Sequence, residues 1–176
     1  TKTKVVRPTK SNFLGFTFFK IGENWQCKPG NDRKVKLYDK IKMLLSRRRA
    51  AALPLSLVFT KVNQVVRGWI NYFRIGGMKG FMTQFGQWLR HKIRVVIIKQ
   101  WKRPKRIYTN LMRINKALKC NFSDEDIHKT ANTRLGWYKR STGHIINFLL
   151  SPKVLGIKKA DRPGLIDPLN YYLTRK

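Results

Sequence analysis

Apolar positions change their spacing near residue 30, from partial alternation to helical repeats, and that change separates the predicted elements. Phe13-Leu-Gly-Phe-Thr-Phe-Phe19 is aromatic-rich and partly alternating, which predicts a strand. Gly22-Glu-Asn24 supplies turn chemistry before Trp25-Gln-Cys-Lys28, so the two pieces predict a β-hairpin. Pro29-Gly30-Asn31-Asp32 breaks the pattern and offers Asn31 or Asp32 as a helix N-cap. Three helical stripes follow. The first is Leu37, Tyr38, Ile41, Leu44 and Leu45; the second runs from Leu55 through Phe59, Val62, Val66, Trp69 and Ile70 to Phe73, closed by Gly76-Gly77. The third places Phe81, Phe85, Leu89, Ile93 and Val96 inward. The pattern breaks again at Trp101-Lys-Arg-Pro104, where a subdomain boundary is expected. Beyond it, Lys105 to Lys119 predicts a basic helix with Leu111, Ile114 and Leu118 as its apolar positions. Ser123-Asp-Glu-Asp126 reads as a capping box with Asp in the third position, opening a helix through Asn132. His144 to Leu150 predicts a short helix stopped by Ser151-Pro152, with loops and a short end around Leu169 to Leu173. The expected fold class is mainly α: a short N-terminal β-hairpin, a three-helix bundle, then a small helical subdomain.

Charge narrows what such a fold is for. The 176 residues carry 39 Lys+Arg against 8 Asp+Glu, a formal net charge of +31. A compact fold with that imbalance repels itself unless a polyanion neutralises it. Nucleic acid is the usual such partner, because each neutralised phosphate releases condensed counterions. A disordered basic tail is excluded by composition, since 42% of residues are hydrophobic and 12% aromatic. The longest apolar runs, such as Val95-Val96-Ile97-Ile98, are core-sized and far short of the ~18 residues of a membrane span. Cys27 and Cys120 lack a second Cys or His at zinc-ligand spacing, and a reducing compartment fits them. The opening at Thr1, without a methionine, reads as part of a longer protein.

A catalytic centre is not proposed by the residues. Two-metal phosphoryl transfer needs converging carboxylates. The eight acids are Glu23, Asp32, Asp39, Asp124, Glu125, Asp126, Asp161 and Asp167, and the central trio reads as helix capping. His91, His128 and His144 share no metal-ligand spacing. Binding is the positive signal. Lys36, Lys40 and Arg47 fall within about 40° of one another on a helix, and Arg47-Arg48-Arg49 would end that helix where cations suit its dipole. Arg67 and Arg74 share a face of the second helix, while Trp69, Tyr72 and Phe73 read first as core. Gly68 costs ~1 kcal/mol relative to Ala in mid-helix, which suggests close approach of a neighbouring element or a phosphate. Arg90 and Arg94, four apart, lie on a polar face with Gln87. Lys99-Gln-Trp-Lys-Arg-Pro-Lys-Arg106 has five cations in eight residues. Lys99, Lys102, Arg103, Lys105 and Arg106 could wrap a phosphate strand with Trp101 stacked on a base; a localisation signal is the bland alternative. Lys79, Arg134, Lys139 and Arg140 complete the candidate set.

Phe13-Leu14-Gly15-Phe16, then Arg67-Gly68-Trp69 with Asn71-Tyr72-Phe73, then Trp88-Leu89 and Gln100-Trp101-Lys102-Arg103-Pro104, resemble group II intron reverse transcriptase/maturases in identity and order. Lys2-Thr3-Lys4 resembles the lysine-rich lead-in of that family. The resemblance implies that residues 1–30 end the polymerase palm, 31–103 form the X or thumb domain, and 104–176 form the D, or DNA-binding, domain. Arg134-Leu-Gly136-Trp137-Tyr138 falls near an aromatic-basic element of that last region. Phe13, Phe16 and Phe18 would then face the palm. The implied role is to clamp group II intron RNA so that it splices, and to hold template–primer duplex and target DNA during retrohoming. The polymerase acids would lie upstream, so this chain alone would be inactive, and Mg²⁺ is expected only at that upstream site. The implied partners are intron RNA, the two nucleic-acid substrates and the upstream fingers and palm, with no membrane; the implied location is a bacterial cytoplasm, or an organelle in a eukaryote. Many members have Asn-Pro where this chain has Asn63-Gln64, so a kink is expected to be missing. Two alternatives stay open: a stand-alone basic RNA-binding protein of ribosomal type, and the same region of a defence or domesticated reverse transcriptase.

Overall fold

The computed structural model describes residues 5–174, so the Lys2-Thr3-Lys4 lead-in lies outside the described residues. The chain opens with a three-stranded antiparallel sheet, β1 (Asn12–Phe13), β2 (Phe16–Ile21) and β3 (Asn24–Pro29), in that order. One strand was expected where two are found. Leu14 (φ 52°) and Gly15 (φ 84°) both adopt left-handed backbone, the requirement of a type I′ turn, and they fold Phe13 back onto Phe16. Gly22 (φ 57°) makes the second turn, pairing Ile21 with Asn24. Phe16 does not face outward. It is buried edge-on against Phe73, with ring centroids 5.0 Å apart, and Tyr72 donates its hydroxyl to the Leu14 carbonyl at 3.1 Å. The sheet is thereby fastened to the end of a helix.

The helices are α1 (Asn31–Leu44), α2 (Arg47–Ala52), α3 (Leu55–Phe73), α4 (Lys79–Trp101), α5 (Pro104–Ala117), α6 (Asp124–Asn132), α7 (Trp137–Arg140), α8 (His144–Leu149), α9 (Pro152–Gly156) and α10 (Pro168–Leu173). Gly30, not Asn31 or Asp32, caps α1; Asp32 sits in the first turn and pairs with Arg33 at 3.2 Å. The predicted stripes meet in one core. Ile41, Phe59, Val62, Ile70, Met82, Phe85, Leu89 and Ile93 are fully enclosed, and the cluster continues into Ile107, Leu111, Ile127, Ile146 and Tyr172. Tyr38 locks α1 to α4 by standing edge-on to Trp88 and Phe85, at 4.7 and 5.4 Å.

Asn63 has a task that its polarity alone did not announce. Its amide donates to the Gly164 carbonyl at 2.8 Å and accepts from the Ile166 N–H at 2.9 Å, so it pairs with the C-terminal segment as a strand would. With no proline beside it, α3 runs unbroken across this point. α10 then returns onto α3 and α4, where the Tyr172 hydroxyl donates to the Gly76 carbonyl at 2.9 Å. Half of the expected capping box forms: the Asp126 N–H donates to Ser123 Oγ at 3.1 Å, while the Asp126 carboxylate accepts from the Ser123 hydroxyl at 2.7 Å in place of its backbone N–H. Among the described residues, no helix is long and apolar enough to cross a membrane.

Candidate nucleic-acid interface

Cations gather in recesses between helices. The first lies between α1 and α3 and encloses about 400 Å³. Lys36 and Lys40 line it from α1 together with Arg33, while Gln64, Gly68, Trp69 and Tyr72 line it from α3. Leu37, Val65 and Phe73 supply its apolar floor. A Cβ built on Gly68 meets no atom within 4 Å, so no element of the chain uses the space its missing side chain leaves. Trp69 is half-buried and packs on Phe73, whereas Tyr72 is exposed. Arg33 was not singled out from sequence, and Tyr72, read there as core, is exposed because its ring stands at the mouth of this recess, opposite Lys36 and Lys40.

Arg47 does not share a face with Lys36 and Lys40. Arg47, Arg48 and Arg49 open α2 instead of closing α1, so three exposed cations occupy a first turn that holds no acid. That end of a helix favours anions. Arg49 turns towards Lys40 and Lys61 around a recess of about 280 Å³. Arg47 and Arg48 line another of about 490 Å³, with Lys99, Gln100, Lys102 and Trp137. Lys99 donates to the Arg47 carbonyl at 3.0 Å, and the Gln100 amide bridges the Ala50 and Leu53 carbonyls at 3.2 and 2.8 Å. These bonds tie α2 to the end of α4. Arg103, Lys105 and Arg106 border a further recess of about 360 Å³ on the first turns of α5.

Trp101 is half-buried within the molecule. It packs against the core and lines a largely apolar cavity of about 650 Å³ with Ile97, Ile114, Leu150 and Leu155, apart from the recess that holds Lys99 and Lys102. Trp137 is the ring beside the cations, and the Arg140 guanidinium sits 5.2 Å from its centroid. Arg140 is itself anchored by a hydrogen bond to the Thr133 carbonyl, and burial lowers its pKa. The aromatic signal at Gly136-Trp-Tyr was visible in the sequence, but its proximity to Lys99 and Lys102 was not.

Arg94 is placed inside, not on a polar face. It is 8% exposed; its Nε donates to the Leu150 carbonyl at 3.0 Å, and Nη1 and Nη2 reach Asn147 Oδ1 and the Asn147 carbonyl at 2.5 and 3.3 Å. Burial, and then neighbouring Arg90, lower its pKa. The charge is spread over carbonyls at the C-terminal end of α8, where the dipole favours a cation. Arg90 is half-buried beside Gly86, and Gln87 is exposed. Arg67 and Arg74 are exposed, Arg67 standing 5.9 Å over the Tyr171 ring. Lys79, Arg134 and Lys139 are exposed away from these recesses. Among the described residues, no three His, Cys, Asp or Glu side chains gather closely enough to hold a metal ion.

Fold and charge together define a class: a strongly basic, mainly helical module whose cations rim the grooves between its helices. A family model, group II intron, maturase-specific domain, matches residues 35–115, from α1 to the last turn of α5. Residues 35–115 therefore form a group II intron maturase-specific domain, and over that span the resemblance read from the motifs is borne out. Comparison with curated proteins found no match.

Proposed function

We propose that this chain is the thumb and DNA-binding region of a group II intron-encoded reverse transcriptase. It clamps intron RNA in a splicing-competent fold and holds template–primer duplex and target DNA during mobility. The observation that carries this reading is the arrangement of charge on the maturase-specific domain. Several of its cations border recesses that also hold a half-buried ring, Trp69 in one and Trp137 in another, a combination suited to a phosphate backbone and its bases. In this reading residues 1–30 complete the palm, 31–103 form the thumb and 104–176 the D domain. Phe13 (65% exposed) and Trp25 (50% exposed) on the small sheet then meet the upstream palm of the same protein.

The test is a titration of the chain against structured group II intron RNA at ~150 mM salt, with excess unrelated structured RNA as competitor, because charge alone gives strong but indiscriminate binding. Selective binding that survives the competitor is expected. Binding abolished by the competitor would leave the chain a general electrostatic grip and defeat the clamp.

A further inference from the structure

The turn between α4 and α5 holds Lys102 at φ 57°, ψ −63°, while the Arg103 N–H donates to the Trp101 carbonyl at 2.6 Å. This is a γ-turn with positive φ, a rare conformation that strains any residue with a Cβ. Strain of this kind costs on the order of 1–3 kcal/mol and persists where the surrounding structure imposes it. Glycine would adopt the same backbone freely. The sequence nevertheless places a lysine there, and its side chain lines the recess formed with α2 and α7.

That recess is a built feature. Lys99 and Gln100 fasten α2 across it through three hydrogen bonds to backbone carbonyls. Arg47, Arg48, Lys99 and Lys102 surround it and no carboxylate lines it. Four cations held close together without a counter-charge repel one another. Its volume of about 490 Å³ exceeds what a single small anion fills and falls within the ~300–1,000 Å³ of ordinary ligand pockets. One wall is Trp137, held by Arg140. An aromatic ring within a ring of cations suits a strand whose bases are free, since paired bases cannot stack on a side chain.

We propose that this recess binds an unpaired turn of RNA, with consecutive phosphates on Arg47, Arg48, Lys99 and Lys102 and one base against Trp137. The inference rests on the RNA-binding reading above and assigns the strand type that this part of the surface takes. An acidic protein segment would satisfy the cations but not require the indole.

The test compares the full chain with its Lys102→Gly, Arg48→Ala and Trp137→Leu variants. Each is titrated at ~150 mM salt with an unpaired RNA oligomer and with an RNA duplex of equal phosphate number. Lys153→Ala, which removes an exposed charge from α9, is the control for net charge. Lys102→Gly should keep or raise the melting temperature while weakening unpaired RNA at least fivefold, with a salt slope shallower by ~0.7 for each lost phosphate contact. Arg48→Ala should behave likewise. Trp137→Leu should weaken unpaired RNA and leave duplex binding and the salt slope unchanged. The inference is overturned alone if these variants match Lys153→Ala, or if duplex and unpaired RNA weaken equally. Absence of RNA binding by the unaltered chain would overturn it together with the proposed function.

Discussion

Each of the three guanidinium nitrogens of Arg94 donates to an oxygen of Asn147 or Leu150, so the side chain joins α4 to α8. Its removal leaves those acceptors buried and unpaired, which costs about 2–4 kcal/mol. Arg94→Ala should therefore lower the melting temperature by roughly 5–15 °C, read by thermal unfolding. Well below that temperature its RNA salt slope should equal that of the unaltered chain, whereas Arg67→Ala should be shallower by about 0.7–0.9. The reverse pattern would return Arg94 to the surface. His91 lies one helical turn before Arg94 on α4 and is half-buried. Its Nδ1 is 3.3 Å from Ser141 Oγ, its ring stands edge-on to Tyr138 at 4.2 Å, and Nε2 is buried with no partner among the described residues. Burial, then the charges of Lys92 and Arg94, lower its pKa from the ordinary 6.5. The unfolded chain thus takes up a proton near pH 6.5 that the folded chain accepts only at lower pH, so stability falls with acidification in that window. Its contribution is fully present above about pH 6.5 and is lost as pH drops towards the lowered value. Denaturant midpoints at pH 7.5 and 5.5 should differ more for the unaltered chain than for His91→Gln; equal differences would show that His91 titrates normally.

At the scale of elements, α3 tests whether a groove is used. Gly68 lies in the middle of a 19-residue helix, and a methyl there would meet nothing. Gly68→Ala should stabilise the fold by about 0.5–1 kcal/mol from helix propensity alone, raising the melting temperature by roughly 1–4 °C. RNA affinity should fall, because the added methyl occupies the floor shared with Lys36 and Lys40. A gain in stability with unchanged affinity would remove the α1–α3 groove from the contact surface. The long elements of this fold are legible in the sequence for a simple reason: Leu55 to Phe73 and Phe81 to Val96 carry apolar side chains at helical period, and burial of those stripes holds the bundle together. The N-cap at Ser123 is equally legible, since its bonds are local. Two local breaks are not. Arg47-Arg-Arg-Ala-Ala-Ala52 has helical propensity on either side of the interruption at Leu45-Ser46, with no Gly or Pro to mark it, so α1 and α2 read as one. Leu14 in left-handed backbone is uncommon for a branched side chain, and the strand pattern runs straight through the turn that it makes. Arg94 fails for a longer-range reason. Spacing from Arg90 places it on a polar face, but the C-terminal elements cover that face, as the all-apolar run from Val95 to Ile98 signals.

For the whole molecule, net charge was legible while its grouping was not: bringing Arg48, Lys102 and Trp137 to one recess takes contacts across nearly ninety positions of chain, which no local pattern encodes. The charge itself makes the last prediction. Among the described residues there are four ion pairs, all between solvent-exposed or half-exposed side chains, and such pairs are worth little. Against them stands a net charge of +31, so repulsion between cations dominates the electrostatics of the free protein. Added salt shortens the screening length from roughly 30 Å at 10 mM to roughly 3 Å at 1 M. The melting temperature of the free chain should therefore rise with NaCl over this range, while RNA affinity falls over the same range because counterion release is lost. At 10 mM salt, saturating RNA should raise the melting temperature further than NaCl does, since it binds the folded state and neutralises the same cations. The measurement is a series of melts with and without RNA across the salt range. A melting temperature that declines as NaCl is added to the free protein would mean that attractive pairs outweigh repulsion, and the charge would then no longer argue for a polyanionic partner.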